Sequence, residues 1–256
     1  NAVFSLNDKS VINGVATHSS GNHAQALARA GRLRRVPVYI VMPRNAPRVK
    51  INAVRNYGGI ITFCEPTLKA REETLKWVIK ETGSVEIHPY DNYRIIEGQA
   101  TCTMELIEDA GAPDMILCPV GGGGLLSGTA LAAAYFSKNT EVIACEPAMA
   151  DDAYRSFRAG RLIPGVNPET IADGLLTSLG ERNFPIIRKF VKDIVTVSEE
   201  SIIEAMRLVY ERMKIIIEPS SAVPVAALIE NKLDVKGKTV GIILSGGNVD
   251  LKNLPF

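Results

Sequence analysis

Read for hydrophobicity alone, the chain is a series of short apolar runs separated by longer segments with helical character. The runs fall at residues 14–18, 36–42, 60–64, 85–88, 115–120, 142–145, 194–197 and 240–244. These predict strands, and the segments between them, roughly ten to sixteen residues long, predict helices. Such alternation predicts an α/β protein built on parallel sheet. No internal repeat, low-complexity tract or Pro/Ser-rich linker divides the chain. Two substructures are still expected, because the first four runs form one compact βαβ series and the last four a second, which begins at a glycine cluster.

That cluster lies in C-P-V-G-G-G-G-L-L-S-G, where Gly121, Gly122, Gly123 and Gly124 follow a strand-like run and precede a segment rich in helix formers. The order strand, glycine turn, helix lets the backbone approach a ligand closely and offers the unpaired N–H groups and positive end of a helix. It suits a phosphate. A ligand-free βα turn is the competing account, although one or two glycines would make such a turn. No Gly-Lys-Ser/Thr follows, and the G-x-G-x-x-G spacing is absent, so neither a nucleoside triphosphate loop nor a dinucleotide fold is indicated.

Composition narrows the field further. A chain of 256 residues can bury a substantial core, and its formal net charge of +1 argues against a nucleic-acid surface or an acidic disordered tail. It reads as a soluble globular protein, with the cytoplasm as the expected compartment. Cys64, Cys102, Cys118 and Cys145 are widely spaced, form no C-x-x-C pair and read as buried thiols. No signal peptide, lipidation motif or bilayer-length apolar run is found.

Polar residues gather where predicted strands end, the usual place for ligands in open α/β sheets. T-H-S-S-G-N-H-A-Q-A spans residues 17–26; Ser19 or Ser20 can cap the helix that follows, and the polar run before it makes a second anion site. Thr67 and Pro66 start a helix carrying Arg71, which reads either as a functional cation or as a solvated one paired with neighbouring acids. His88, in H-P-Y-D-N-Y, reads as a structural histidine. Glu146, Asp151 and Asp152 share the loop E-P-A-M-A-D-D, a plausible oxygen-ligand set for a hard cation or, alternatively, acids favoured at a helix N-terminus. Glu218 precedes a proline-initiated helix, and L-S-G-G-N at residues 244–248 suggests close approach to a planar or polar ligand.

Taken together, S-S-G-N-H at residues 19–23, the four glycines, and S-G-G-N at residues 245–248 resemble the fold-type II pyridoxal-phosphate enzymes, the threonine dehydratase and serine racemase group. The likeness covers essentially the whole chain. Ser20 and the E-P-x-x-A-D-D loop are similar to the racemase branch. The resemblance implies a tryptophan synthase β-like fold of two open, mostly parallel sheets flanked by helices, with a small domain at residues 14–91 and a large cofactor domain formed by residues 1–13 and 92–256. It also implies a homodimer, racemisation of L-serine to D-serine, and β-elimination to pyruvate and ammonia. Serine, threonine or hydroxyaspartate dehydration, aspartate racemisation, and a non-catalytic amino-acid or nucleotide sensor are the alternatives.

Residue by residue, the resemblance implies that Gly121, Gly122, Gly123, Gly124 and Leu125 hold the phosphate of pyridoxal 5'-phosphate. Asn22 bonds its ring hydroxyl and Ser245 faces its ring nitrogen. Ser20 is implied as catalytic acid/base, and Ser19, Asn22, His23 and Arg71 as grips on substrate carboxylates. Glu146, the carbonyl of Ala150 and Asp152 match ligands of Mg2+ (or Mn2+ or Ca2+), with Asp114 nearby through water. Gln25, Tyr57, Lys214 and Asn248 match an ATP effector site between subunits. The family's Schiff-base lysine lies in S-F-K-x-R-G-A-x-N, of which this chain carries the closing Asn1, while Lys9, Lys50 and Lys69 lack that context. Activity is therefore expected to require an N-terminal segment bearing the lysine. Ala24, glycine in mammalian racemases, and Tyr90-Asp91-Asn92 depart from the pattern.

Overall fold

The computed structural model describes residues 1–256. It divides into two compact units, Asn1–Ile95 and Ile96–Phe256. In the first, β1 (Val15–His18), β2 (Val38–Pro43), β3 (Ile60–Cys64) and β4 (Val85–Glu86) pair in the order β3-β2-β1-β4, all parallel. The two inner strands are apolar almost throughout because helices cover both faces. Val15, Val38, Ile40 and Met42 pack with Ala24 and Leu27 of α1 (Asn22–Arg34). Ala16 and Val41, pointing the other way, meet Leu75 and Val78 of α3 (Leu68–Thr82). Helix α2 (Arg48–Asn56) joins β2 to β3. Thr67 caps α3 by accepting the Ala70 amide at 3.1 Å, as its sequence predicts.

Residues 1–13, which the resemblance groups with the large domain, lie here with the first unit. Ala2, Val3 and Val11 are buried in the same cluster as Val15 and Ile40. The Arg34 guanidinium at the end of α1 donates to the carbonyls of Val3 and Leu6 and pairs with Asp8 at 3.0 Å. An arginine fork that satisfies main-chain carbonyls holds this segment without regular structure of its own.

Helix α4 (Tyr93–Ala110) leads into the second unit. There β5 (Met115–Pro119), β6 (Glu141–Pro147), β7 (Asp193–Val197) and β8 (Val240–Ile242) pair in the order β7-β6-β5-β8, again all parallel. Alternate residues of β5 serve opposite cores. Met115 and Leu117 pack with α8 (Glu199–Met213) and α9 (Pro219–Ile229), whereas Ile116 and Cys118 pack with α5 (Gly124–Phe136) and α7 (Asn183–Phe190). Helix α6 (Asp152–Ala159) completes the unit. All eight predicted strands are present, though β4 and β8 stop earlier than the apolar runs do. Cys64, Cys118 and Cys145 are buried free thiols, but Cys102 is exposed on α4, which corrects the expectation that all four are buried. No helix is long and apolar enough to cross a membrane.

A polar clasp ties α8 to α9. Glu230, following α9, accepts the Ser198 amide and hydroxyl at 2.8 Å each and pairs with Lys232 at 3.0 Å. Burial pushes its carboxyl up, but the bonds from Ser198 and Lys232 outweigh that and hold it at about 2, against an ordinary 4.5. A depressed carboxylate stabilises the fold fully above its ordinary value, and that contribution is lost as pH falls toward 2. Glu230→Gln should therefore cost about 1–2 kcal/mol at pH 7 in denaturant titrations. The difference from the wild type should close as the titrations are repeated below pH 4.5. A gap independent of pH would assign the clasp to packing.

Candidate functional site

The turn after β5 is built to leave amides unpaired. Gly121, Gly122, Gly123 and Gly124 are all buried, and Gly123 sits at φ 92° as the N-cap of α5, with no side chain capping the helix. The first amide to donate into the helix is that of Ser127, to the Gly123 carbonyl at 2.8 Å. Those of Gly124, Leu125 and Leu126 have no helical partner. Side chains are excluded from the turn by contact: a Cβ on Gly123 would lie 2.7 Å from Leu179 Cδ1, and one on Gly121 would lie 3.0 Å from Leu175 Cα. The Gly122 carbonyl is held by two donors, the Gly180 amide at 3.1 Å and Asn183 Nδ2 at 3.0 Å. Asn183, wholly buried at the start of α7, was not legible in the sequence. A dry cradle of backbone amides at a helix N-terminus fits a phosphate.

At the end of β8, Ser245 Oγ lies 3.1 Å from Ser221 Oγ. Ser221, buried on α9, donates to the Gly246 carbonyl at 2.6 Å and accepts the Gly246 amide at 2.7 Å. It fixes the backbone that presents Ser245, a positioning role with no local motif to announce it. Ala150 ends a 3₁₀ turn, Ala148–Ala150, between β6 and α6. Glu146, completely buried, accepts the amides of Ala153 and Tyr154 at 3.0 and 2.8 Å, and Asp152 accepts the Leu179 amide at 2.8 Å. Asp151 instead pairs with Arg155 at 2.7 Å. Burial pushes the Glu146 carboxyl up to about 9 and that of Asp152 to about 6, against the pull of those amide bonds. No group of three or more His, Cys, Asp or Glu side chains is gathered for a metal. Asp114 does not join Glu146 and Asp152. It precedes Met115, which pairs with Glu141 at the opposite end of β6 from Glu146, a separation of roughly 15 Å or more along the strand.

In the first unit the expected serine cap is replaced by a tighter turn. The N-cap of α1 is Gly21, without a side-chain bond, and Ser19 Oγ accepts the Gly21 amide at 3.3 Å. Ser19, Ser20 and His23 are half-buried at this helix start, and Asn22 is exposed. His23 Nε2 bonds the Ile87 carbonyl at 3.1 Å, and burial keeps its imidazole neutral, with a pKa lowered to about 4. His88 Nδ1 accepts the amides of Tyr90 and Asp91 at 3.3 and 2.9 Å, the structural role its sequence predicts. His18 stacks edge-on with His88, centroids 6.1 Å apart. Burial, then His88, then Arg71 lower its pKa to about 4.

Arg71 is not paired with the neighbouring acids. Its Nε is buried without a partner, while its neighbours Lys69 and Glu73 pair with each other at 3.8 Å. A cavity of about 280 Å³ is lined by His18, Glu72, Leu75, Lys76, Glu86 and His88. Gln25 Nε2 on α1 is buried without a partner, and Tyr57, at the end of α2, carries Arg29 over its ring at 5.9 Å. In the second unit, Lys214 sits at φ 60° after α8 and donates to the Glu211 carbonyl, and Asn248 Nδ2 is buried without a partner.

Comparison with known proteins agrees with this chemistry. The chain matches the family described as "Pyridoxal-phosphate dependent enzyme" over residues 1–246. It is 49% identical over 256 residues to a beta-hydroxyaspartate dehydratase of Paracoccus denitrificans (strain Pd 1222), covering 100% of this chain and 81% of that one. It is likewise 49% identical over 259 residues to a serine racemase of Dictyostelium discoideum, covering 99% and 80%. The solved structure of maize serine racemase superposes with a TM-score of 0.95 at 43% identity, covering 98% of this chain and 78% of that one.

The buried acid at the end of β6 has a consequence for stability. Folded Glu146 keeps its proton up to about pH 9, whereas unfolded it would release it above 4.5. Without a cation to take its place, stability must fall as pH rises between those values. With a chelator present, the melting temperature of the wild type should drop relative to Glu146→Gln by roughly 5 °C or more across that interval. Parallel melting curves would contradict the assignment.

Proposed function

The chain belongs to the pyridoxal-phosphate-dependent enzyme family, and from that membership we propose that it exchanges the Cα proton of a small hydroxy-amino acid. It racemises serine and eliminates water from it to give pyruvate and ammonia. The observation that carries this reading is the buried glycine turn with its unpaired amides. Pyridoxal phosphate, when bound, supplies the electron sink that makes a Cα proton acidic. The residues of the chain do the rest. Amides from Gly121 to Leu125 would bind the phosphate, and Asn22 would bond the ring hydroxyl. Ser245 would face the ring nitrogen, where its neutral hydroxyl would favour proton exchange and β-elimination over deeper carbanion chemistry. Ser19, Asn22 and His23 bind the carboxylate next to Cα. The Ser20 hydroxyl gives and takes the Cα proton on one face, as general acid/base, while the family's lysine serves the other.

Glu146, the Ala150 carbonyl and Asp152 would hold a divalent cation such as Mg2+. The support is a pair of buried carboxylates whose pKa values are raised by burial, a penalty that a cation relieves. Gln25, Tyr57, Lys214 and Asn248 are read as contacts for an ATP effector between the subunits of a homodimer. The two orphaned side-chain amides, Gln25 Nε2 and Asn248 Nδ2, support a polar ligand for them.

A second reading of the substrate is favoured by Arg71. A guanidinium with a buried, unpaired Nε beside His18 suits a second carboxylate, as in 3-hydroxyaspartate, better than the hydroxymethyl of serine. Arg71→Leu should cut kcat/KM for 3-hydroxyaspartate by about 100-fold and for serine by less than about tenfold. Equal losses would return Arg71 to the carboxylate common to both substrates.

Ser20→Ala tests the central assignment. Racemisation should fall by about 100-fold or more while elimination from one enantiomer survives, as read by chiral chromatography and pyruvate release. Equal loss of both reactions for both enantiomers would remove Ser20 from the acid/base role.

A further inference from the structure

Beside the glycine turn lies a residue that no motif singles out. Thr177 follows the 3₁₀ turn Asp173–Leu175, and its Oγ1 is buried with no hydrogen-bond partner. A Cβ built on Gly121 would meet that oxygen at 3.1 Å, so the hydroxyl sits against the first residue of the amide cradle. The surrounding polar groups are occupied. Ser178 Oγ accepts the Gly165 amide at 3.0 Å, the Leu179 amide donates to Asp152 at 2.8 Å, and the Gly180 amide donates to Gly122 at 3.1 Å. The Thr177 amide itself donates to the Leu175 carbonyl at 2.8 Å. The backbone of this segment is thus fixed on both sides of Thr177, leaving one hydroxyl unsatisfied next to the turn.

An unsatisfied buried hydroxyl is costly, and valine would fill the same space without that penalty. The oxygen therefore points to something the protein alone does not supply. We propose that Thr177 is a further ligand of the cofactor phosphate, its hydroxyl donating to the anion that the amides of Gly121 to Leu125 bind. This rests on the reading of that turn as the phosphate site. A hydroxyl donor to an oxyanion adds a charge-assisted bond without adding net charge. The turn itself holds no side-chain donor, so Thr177 would be the side-chain member of an otherwise main-chain site.

The test uses the full chain stripped of cofactor, as wild type, Thr177→Val and Thr177→Ser, titrated with pyridoxal 5'-phosphate, pyridoxal and inorganic phosphate. Thr177→Val should weaken both phosphate-bearing probes by about tenfold to a hundredfold while leaving pyridoxal unchanged. Thr177→Ser should stay within about threefold of the wild type. The cofactor-free melting temperature of Thr177→Val should equal or exceed that of the wild type, because the lost oxygen bonds nothing in the protein. Unchanged phosphate affinity overturns the proposal, as does an equal loss for pyridoxal or a lower melting temperature, since either marks a packing role. If the wild type binds none of the probes, the phosphate reading of the turn falls and takes this proposal with it. If the wild type binds and Thr177→Val binds equally well, only this proposal falls.

Discussion

The constraint on which the second unit depends is the unpaired start of α5. An orphaned buried amide costs about 1–3 kcal/mol, and the helix begins with those of Gly124, Leu125 and Leu126 lacking a carbonyl four residues back. An ordinary helix would relieve this with an Asp, Ser or Thr at its N-cap. Here the N-cap is a glycine at φ 92°, and the space a side chain would need is filled by Leu179 and Asn183. Packing has thus removed the usual internal remedy, and an anion is what remains. The two donors on the Gly122 carbonyl make the arrangement rigid, since that carbonyl cannot turn inward to compete for the amides.

A second regularity runs through both units. Ionisable candidate groups in each unit are held in their neutral forms by burial: His18 and His23 of the first near a pKa of 4, Glu146 of the second near 9. Several exposed charges pair with one another, as Arg44 does with Glu65 at 3.5 Å and Arg207 with Glu211 at 2.7 Å. The interior groups are poised instead. An arriving anion stabilises imidazolium, and an arriving cation stabilises carboxylate, so each ligand would release an electrostatic penalty already present in the fold. Ligand binding and proton uptake or release are then linked, and affinity measured at one pH describes one protonation state.

Much of this architecture was legible in the sequence because parallel strands covered on both faces must be apolar on both sides. That requirement writes itself as short continuous runs, and all eight became strands. The glycine turn was legible for a similar reason, since no other residue type meets both its positive φ and its close contacts. What escaped was held by tertiary contact alone. Asn183, Thr177 and Ser221 lie far along the chain from the glycines or serine they adjoin, and nothing in E-R-N-F, L-L-T-S or P-S-S-A distinguishes them. The expected serine cap failed for a local reason: Ser19 satisfies the Gly21 amide two residues on, a turn bond that competes with capping. Asp114 was placed by analogy, and strand register alone removes it from the loop of Glu146 and Asp152.

Arg71 shows how an absence of pairing can be informative in the first unit. Were it structural, it would find an acid, for α3 carries Glu72 and Glu73 and the preceding loop carries Glu65. Glu65 instead meets Arg44, and Glu73 meets Lys69. The guanidinium keeps a buried Nε with no acceptor beside a histidine that its own charge helps keep neutral. Neutral His18 can orient a ligand through a hydrogen bond but adds no positive charge, and the cavity it lines also carries Lys76, Glu72 and Glu86. A carboxylate facing Arg71 would meet a guanidinium whose Nε no acid of the chain has claimed, the condition under which a charge-assisted bond adds most.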